Sequence, residues 1–457
     1  VELETPFPYQ QAGAQWLAER KQALLADEMG LGKSCQAVVG CDLVGARDIL
    51  VICPAAVRIN WAREFVRFSP FDRPIAVIET GKDPLPAAGV VIVSYDGATQ
   101  RAKELSQRDW DVLVLDEAHY LKERSAKRTR AVYGHTVRIP GIAARSRRSW
   151  RLSGTPAPNN ASELYTHMRS AGVADENYWD FTYRYCTGMD GTFGFKITGH
   201  KNMDELKSRL DPFMLRRTKD QVMSDLPPIS YQEVTVQRSK VELDPYFYEQ
   251  WRAIGQAKFI ENLEASDKTL RMALDAIKHS PKPREEDKLT MIEGMAQSMV
   301  ALRRYIGMAK LPHICEILAD ELTTKALDKI VLFAVHKDVI ETAREKLAKF
   351  GAVTLYGGTP ADKRQRNIDK FMKDPTCRVF IGNIQAAGTG ITLTAAHEVA
   401  FLEMDWAPAN NAQAAMRCHR IGQTKSVRVR TFTLAGSVDE DVVKTLTRKT
   451  RELTKLF

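Results

Sequence analysis

Short apolar runs recur along the chain, separated by polar stretches of helical length. In the first half they are Ile49–Pro54, Val90–Tyr95 and Val112–Asp116. In the second they are Ile330–Val335, Ala352–Tyr356, Arg378–Ile381, Val399–Met404 and Val427–Leu434. Uninterrupted Val/Ile/Leu runs suit strands covered on both faces, so the pattern predicts parallel sheets sandwiched between helices. Two such blocks predict an α/β protein with two doubly wound parallel-sheet lobes. The intervening stretches, about 160–225 and 240–325, are polar and rich in Glu, Lys, Met and Ala, and read as helical protrusions. Leu226-Pro227-Pro228 interrupts the pattern and reads as a linker. The expected organisation is a first lobe over 1–230, a linker and second protrusion over 231–325, and a second lobe over 326–457.

Composition narrows the class. Of 457 residues, 44% are hydrophobic and 27% charged, which is ordinary for a globular chain and argues against disorder. No apolar run approaches the ~20 residues that span a bilayer, so no membrane partner is expected. Val1–Pro8 carries two Glu and two Pro and has no signal-peptide pattern, so secretion is not expected. The seven cysteines are odd in number and lack C-x-x-C spacing, which predicts buried thiols in a reducing compartment and no structural zinc. The net charge of +9 favours polyanionic partners. Lys122 to Arg151 holds ten Lys or Arg against one acidic residue, Glu123, a candidate phosphate-contacting stretch.

The strongest local signal is Ala26-Asp27-Glu28-Met29-Gly30-Leu31-Gly32-Lys33-Ser34. Gly30 and Gly32 permit a tight turn that aims N–H groups at phosphate oxygens, and a following helix N-terminus favours anions. Lys33 is expected to reach the β- and γ-phosphates of ATP, and Ser34 to ligand Mg²⁺. Asp27 departs from the general G-x-x-x-x-G-K-[ST] pattern, which asks for Gly there.

The apolar run ending at Leu115 leads into Asp116-Glu117-Ala118-His119. A carboxylate at a strand's C-terminal end can hold Mg²⁺ directly or through water, and its neighbour can orient and deprotonate the attacking water. These roles fall to Asp116 and Glu117 respectively. Leu152-Ser153-Gly154-Thr155-Pro156 suits a loop that senses phosphate state. In the second block, Gln413, Arg417 and Arg420 lie in one short stretch, with the arginines three apart as on one helix face. Arg420 is assigned as the arginine finger and Arg417 as a second phosphate contact. Gly388-Thr389-Gly390 offers N–H groups to nucleotide or DNA phosphate.

In this order the motifs resemble the Swi/Snf-type branch of helicase superfamily two, across nearly the whole chain. The matches are Pro8-Tyr9-Gln10 with Trp16, DEMGLGKS, Cys53-Pro54 through Trp61, Ser94-Tyr95, DEAH, LSGTP and Pro212 to Lys219. They continue with Leu226-Pro227-Pro228, Phe333 with His336, Tyr356 to Thr359 with Arg364, AAGTGITLTAA, Asp405-Trp406 with Pro408, and HRIGQ. Asp27 is normal in this branch. The chain looks closest to the small HARP-like annealing-helicase remodellers and their bacterial or phage relatives.

The resemblance implies two RecA-like lobes and a DNA-dependent ATPase that tracks along double-stranded DNA without processive unwinding, in DNA repair or a chromatin-remodelling-like role. It implies Gln10 as the adenine reader, Gly390 and Gln413 at the nucleotide, and Arg58, Ser94, His336, Lys337, Arg364 and Thr389 along the DNA. Expected partners are duplex DNA, forked DNA and DNA-bound proteins, with the protein a monomer. The expected location is the cytoplasm or nucleoid of a bacterial or phage host, or a eukaryotic nucleus. The competing readings are a strand-separating or annealing helicase on forks or RNA, and a non-hydrolysing ATP-gated DNA clamp; retention of Glu117 and Arg420 argues against the clamp.

Overall fold

The computed structural model describes residues 3–136, 139–157, 160–191, 194–223, 227–239, 264, 267, 300–387 and 391–455. The chain forms two compact units, Val1–Asp225 and Leu226–Phe457.

The first unit holds β1 (Gln22–Leu25), β2 (Asp48–Cys53), β3 (Ile75–Val77), β4 (Gly89–Ser94) and β5 (Trp110–Asp116). A small pair, β6 (Gly134–Thr136) and β7 (Ile139–Pro140), precedes β8 (Ser146–Leu152). Beyond these come a hairpin of β9 (Cys186–Gly191) and β10 (Gly194–His200), then β11 (Met214–Leu215). The main sheet has seven strands in the order β11-β1-β8-β5-β2-β4-β3, every neighbouring pair parallel. Its strands alternate between two cores. Ile49, Val51 and Cys53 join Val112, Val114 and Trp150 on one face, while Leu50 and Ile52 join Val91, Leu113 and Leu115 on the other. Both faces are dry, which is why these strands read as continuous apolar runs.

The second unit holds β12 (Ile229–Val236), β13 (Ile330–Ala334), β14 (Ala352–Leu355), β15 (Val379–Asn383), β16 (Glu398–Phe401) and β17 (Val427–Leu434). They form a six-stranded, all-parallel sheet in the order β12-β17-β16-β13-β15-β14. Val331 and Phe333 face one core; Ile330, Leu332 and Ala334 face the other.

The stretch at 160–225 differs from the all-helical expectation. It contains the helices Tyr165–Ser170, Tyr178–Tyr185 and Met203–Leu210, but also the antiparallel β9–β10 hairpin. Gly and β-branched residues crowd Cys186–His200, and these favour paired strands and tight turns over helix. In the second polar stretch, residues 240–263, 265–266 and 268–299 lie outside the described residues, and Val300–Thr323 is a helix.

Candidate active site

The site in the first unit is built by strand order. β8 lies between β1 and β5, and parallel register places Leu25 and Asp116 each opposite Leu152. The three loops that continue these strands therefore leave the sheet side by side at its C-terminal edge. They are the phosphate loop, Glu117 to His119, and Ser153 to Thr155. Ligand sites in open α/β sheets occupy this edge.

The phosphate loop turns through Gly30 (φ 93°) and Gly32 (φ 71°), both left-handed, into α2 (Lys33–Leu43). The left-handed φ of Gly32 is one that other residues rarely adopt, and a Cβ there would also push into Gln10 Nε2 of α1 (Pro8–Ala18) at 2.2 Å. Lys33 Nζ donates to the carbonyls of Asp27 (2.7 Å) and Glu28 (3.4 Å). Ser34 is the second residue of α2. Gln10 is 3% exposed; its Oε1 accepts from Phe7 N at 2.9 Å and its Nε2 donates to Leu31 O at 3.4 Å. The structure thus places Gln10 as a brace between α1 and the phosphate loop.

Asp27 is fully buried. Its carboxylate accepts from Arg217 Nε (3.0 Å), the second Arg217 guanidinium nitrogen (2.5 Å), Arg217 N (3.1 Å) and Gln36 Nε2 (3.0 Å). Arg217 also donates to Tyr9 O at 2.7 Å and Gln36 Oε1 at 2.8 Å. Arg216 donates to Ala26 O at 2.9 Å and Gly154 O at 3.4 Å, and Lys219 N donates to Glu28 Oε2 at 2.8 Å. The segment that leaves edge strand β11 therefore straps the first half of the phosphate loop. The sequence had marked this segment only by resemblance. The signal for Arg217 is the acid at position 27, where the general phosphate-loop pattern has glycine.

Asp116 closes β5. Trp61 Nε1 donates to Asp116 Oδ2 at 2.8 Å, Glu117 N to its Oδ1 at 3.0 Å, and the Tyr95 hydroxyl to its carbonyl at 2.8 Å. Burial, followed by the neighbouring Glu117 charge, raises the Asp116 pKa; the Trp61 bond and Lys33 oppose that rise. Two half-buried, adjacent carboxylates are the environment a divalent cation relieves, so these residues fit Mg²⁺. Glu117 holds a left-handed backbone, φ 49° and ψ 52°, a conformation that costs a non-glycine residue free energy and clusters at functional positions. His119 Nδ1 is 3.3 Å from Glu117 Oε2 and 3.2 Å from Ser153 Oγ, and Ser153 Oγ accepts from Thr155 N at 3.2 Å. A polar relay thus joins the carboxylate loop to the loop after β8.

In the second unit, Gln413 is 3% exposed and Arg417 2% exposed. Arg417 donates from Nε to Gln413 O at 3.1 Å and toward Ile391 O at 3.4 Å. Arg420 is half-buried, 3.4 Å from Thr392 Oγ1. The helix expected under these arginines ends at Ala415, so both lie in the turn beyond it. The helix gives way at Met416, where the chain turns so that Arg417 O accepts from Leu393 N at 2.9 Å. Thr389 and Gly390 lie outside the described residues.

Among the other nucleic-acid candidates, Arg58, Ser94, His336 and Lys337 have internal partners. Arg58 donates to Ala55 O and Ile78 O, Ser94 Oγ caps the helix Tyr95–Gln100 through Gly97 N at 3.0 Å, and His336 Nδ1 lies 2.7 Å from Glu403 Oε1. Lys337 sits over the Tyr356 ring, and burial lowers the Arg364 pKa. The basic stretch is not a uniformly solvated loop. Lys122 pairs with Glu163, Arg145 with Asp109, and Arg151 is fully buried. All seven cysteines are buried free thiols; among the described residues no His/Cys/Asp/Glu metal cluster occurs and no helix is long and apolar enough to cross a membrane.

Two parallel-sheet units, with a phosphate loop and paired acids at the C-terminal edge of the first, define a P-loop nucleotide hydrolase of the two-lobed helicase type. A model of the SNF2-related domain matches residues 9–289, and one of the helicase conserved C-terminal domain matches residues 309–422. The chain belongs to the SNF2-related family of helicase-like ATPases. It is 31% identical, over 98% of its length, to the Drosophila melanogaster SWI/SNF-related matrix-associated actin-dependent regulator of chromatin subfamily A-like protein 1. It is 28% identical, over 97%, to the Homo sapiens DNA annealing helicase and endonuclease ZRANB3. The chain spans 55% and 39% of those two proteins. The Sulfolobus solfataricus SWI2/SNF2 ATPase core in complex with dsDNA aligns with 100% of this chain and 95% of its own, at 24% identity and TM-score 0.44.

Proposed function

We propose that the chain is an ATP-driven motor that moves along duplex DNA without processive unwinding. The observation that carries this reading is the row of loops after β1, β8 and β5, which sets Lys33, Ser153 and Asp116-Glu117 on one edge of one sheet. In this reading Lys33 leaves the Asp27 and Glu28 carbonyls for the β- and γ-phosphates. Ser34 and Asp116 hold Mg²⁺, whose charge offsets that of the phosphate oxygens. Glu117 orients the attacking water and takes its proton, and the His119–Ser153 relay carries the change at the phosphate to the neighbouring loop. Arg420 is the second unit's candidate for stabilising transition-state charge, with Arg417 shaping its turn. Gln10 contributes adenine selectivity through the α1 brace.

Duplex DNA as the track rests on family membership and on the +9 charge. The test is steady-state ATPase rate at low salt with no nucleic acid, single-stranded DNA, duplex, forked DNA and RNA. Strong stimulation by plain duplex is expected. Stimulation by RNA or single strands but not by duplex overturns the track while leaving the ATPase intact.

A further inference from the structure

The helix Tyr178–Tyr185 has an unusual outer face. Its inner face buries Phe181 and Tyr185. On an ordinary surface helix the opposite positions are polar. Here they carry Trp179 and Tyr183, which are 44% and 46% exposed and, four residues apart, stack at 6.0 Å between centroids. The array continues at both ends. Tyr183 meets Phe195 of β10 edge-on at 4.9 Å, and Trp179 meets Tyr178 at 5.2 Å. Exposed Arg124 lies over the Tyr178 ring at 4.7 Å. Asp180, the acid within this helix, is held by Asn177 at 2.6 Å.

We propose that this aromatic array is a stacking platform for the bases of an unpaired DNA strand, distinct from the nucleotide site. The occupant rests on the nucleic-acid reading above, and three features favour it. Aromatic faces bind any exposed base, because every base has a π-face. A duplex keeps its base faces stacked inside, so rings of this kind gain little from it. Exposed Arg124, over the Tyr178 ring, puts a guanidinium at the end of the array, where it complements a strand's phosphates. A motor carrying such a platform would grip the displaced or unannealed strand at a junction while the rest of the molecule holds duplex.

Fluorescence anisotropy on the full chain tests this, with labelled oligothymidine and a duplex of equal length at one salt concentration. Trp179→Ala with Tyr183→Ala should weaken oligothymidine binding roughly 10- to 100-fold, at about tenfold per lost ring. Duplex affinity and duplex-stimulated ATPase should stay within about twofold. Trp179→Phe with Tyr183→Phe should retain most of the single-strand affinity. Arg124→Ala should flatten the salt dependence of single-strand binding by about 0.7 in log–log slope, whereas the ring variants should not change the slope. Failure of the wild type to bind oligothymidine, unchanged affinity in the alanine variant (the result for a protein-docking face), or equal loss on duplex would each overturn the platform. Absence of duplex stimulation in the wild type would instead sink the duplex track, with the platform judged on the single-strand arm alone.

Discussion

Asp27 stands where the general phosphate-loop pattern has glycine, and the structure shows what replaces glycine's function. The buried carboxylate holds the Arg217 fork, and the fork also holds Tyr9 O and Gln36. Asp27→Gly would restore the general pattern yet leave a largely buried guanidinium without its partner. Breaking a pair of this kind costs about 3–5 kcal/mol, so a large loss of chemical-denaturation stability is expected. Arg217→Lys, with Asp27 kept, should also lose stability, because an ammonium cannot span both carboxylate oxygens and the neighbouring acceptors. Near-neutral stability in Asp27→Gly would remove this account of the loop. At Glu117 the expectation is kinetic. Glu117→Gln should retain nucleotide binding, read by a fluorescent ATP analogue, while turnover falls at least ~10²-fold, the usual scale of a general base. Retained hydrolysis would refute the assignment.

Strand β8 reads Ser-Arg-Arg-Ser-Trp-Arg-Leu, an unpromising sequence for a central strand, yet Ser149 to Leu152 are buried. Arg151 explains how. Its guanidinium donates to Gln22 Oε1 at 3.0 Å, Ser149 O at 3.2 Å, Ser170 Oγ at 2.7 Å and Tyr133 Oη at 3.2 Å, so four hydrogen bonds offset the burial of its charge. His167, on the helix Tyr165–Ser170, shares this site through a 3.0 Å contact with Tyr133 Oη. Burial, reinforced by the Arg151 charge, lowers its pKa to about 3, against 6.5 ordinarily. The folded chain thus keeps His167 neutral over a range where the unfolded chain takes up a proton. Stability is expected to fall as pH drops from about 6.5 toward about 3, by at most roughly 1.4 kcal/mol per pH unit. His167→Gln should flatten that part of the stability–pH curve; an unchanged slope in the variant would assign the acid sensitivity elsewhere.

For the whole molecule, the +9 charge matters more than any single contact. Much of the basic stretch is internally paired, so in the proposed motor the net excess would act as a diffuse field toward phosphate backbones of any sequence. Duplex affinity should fall roughly tenfold or more between 50 and 200 mM salt, in a linear log–log plot, for even two or three phosphate contacts. A flat salt response in a binding titration would mean that backbone contacts do not carry the interaction.

The sequence by itself determined both parallel sheets, because strands buried on two faces must be apolar throughout, as Ile49–Cys53 and Ile330–Ala334 are. It also pointed to nucleotide chemistry at Gly32, Lys33, Asp116 and Glu117, because local backbone geometry and the expected reaction call for those residue types at those places. It did not reveal β1, β3, β8, β11, the β6–β7 and β9–β10 pairs, or β12, which joins the second sheet from within the expected linker region. β1 and β11 are too short to show a period, β8 is polar, and the hairpin is masked by helical neighbours. Only tertiary structure decided that β8 lies between β1 and β5, that Asp27 answers Arg217, and that Trp179 and Tyr183 face solvent. Each depends on which distant segments become neighbours, and an order of strands across a sheet leaves no periodicity in the chain that forms it.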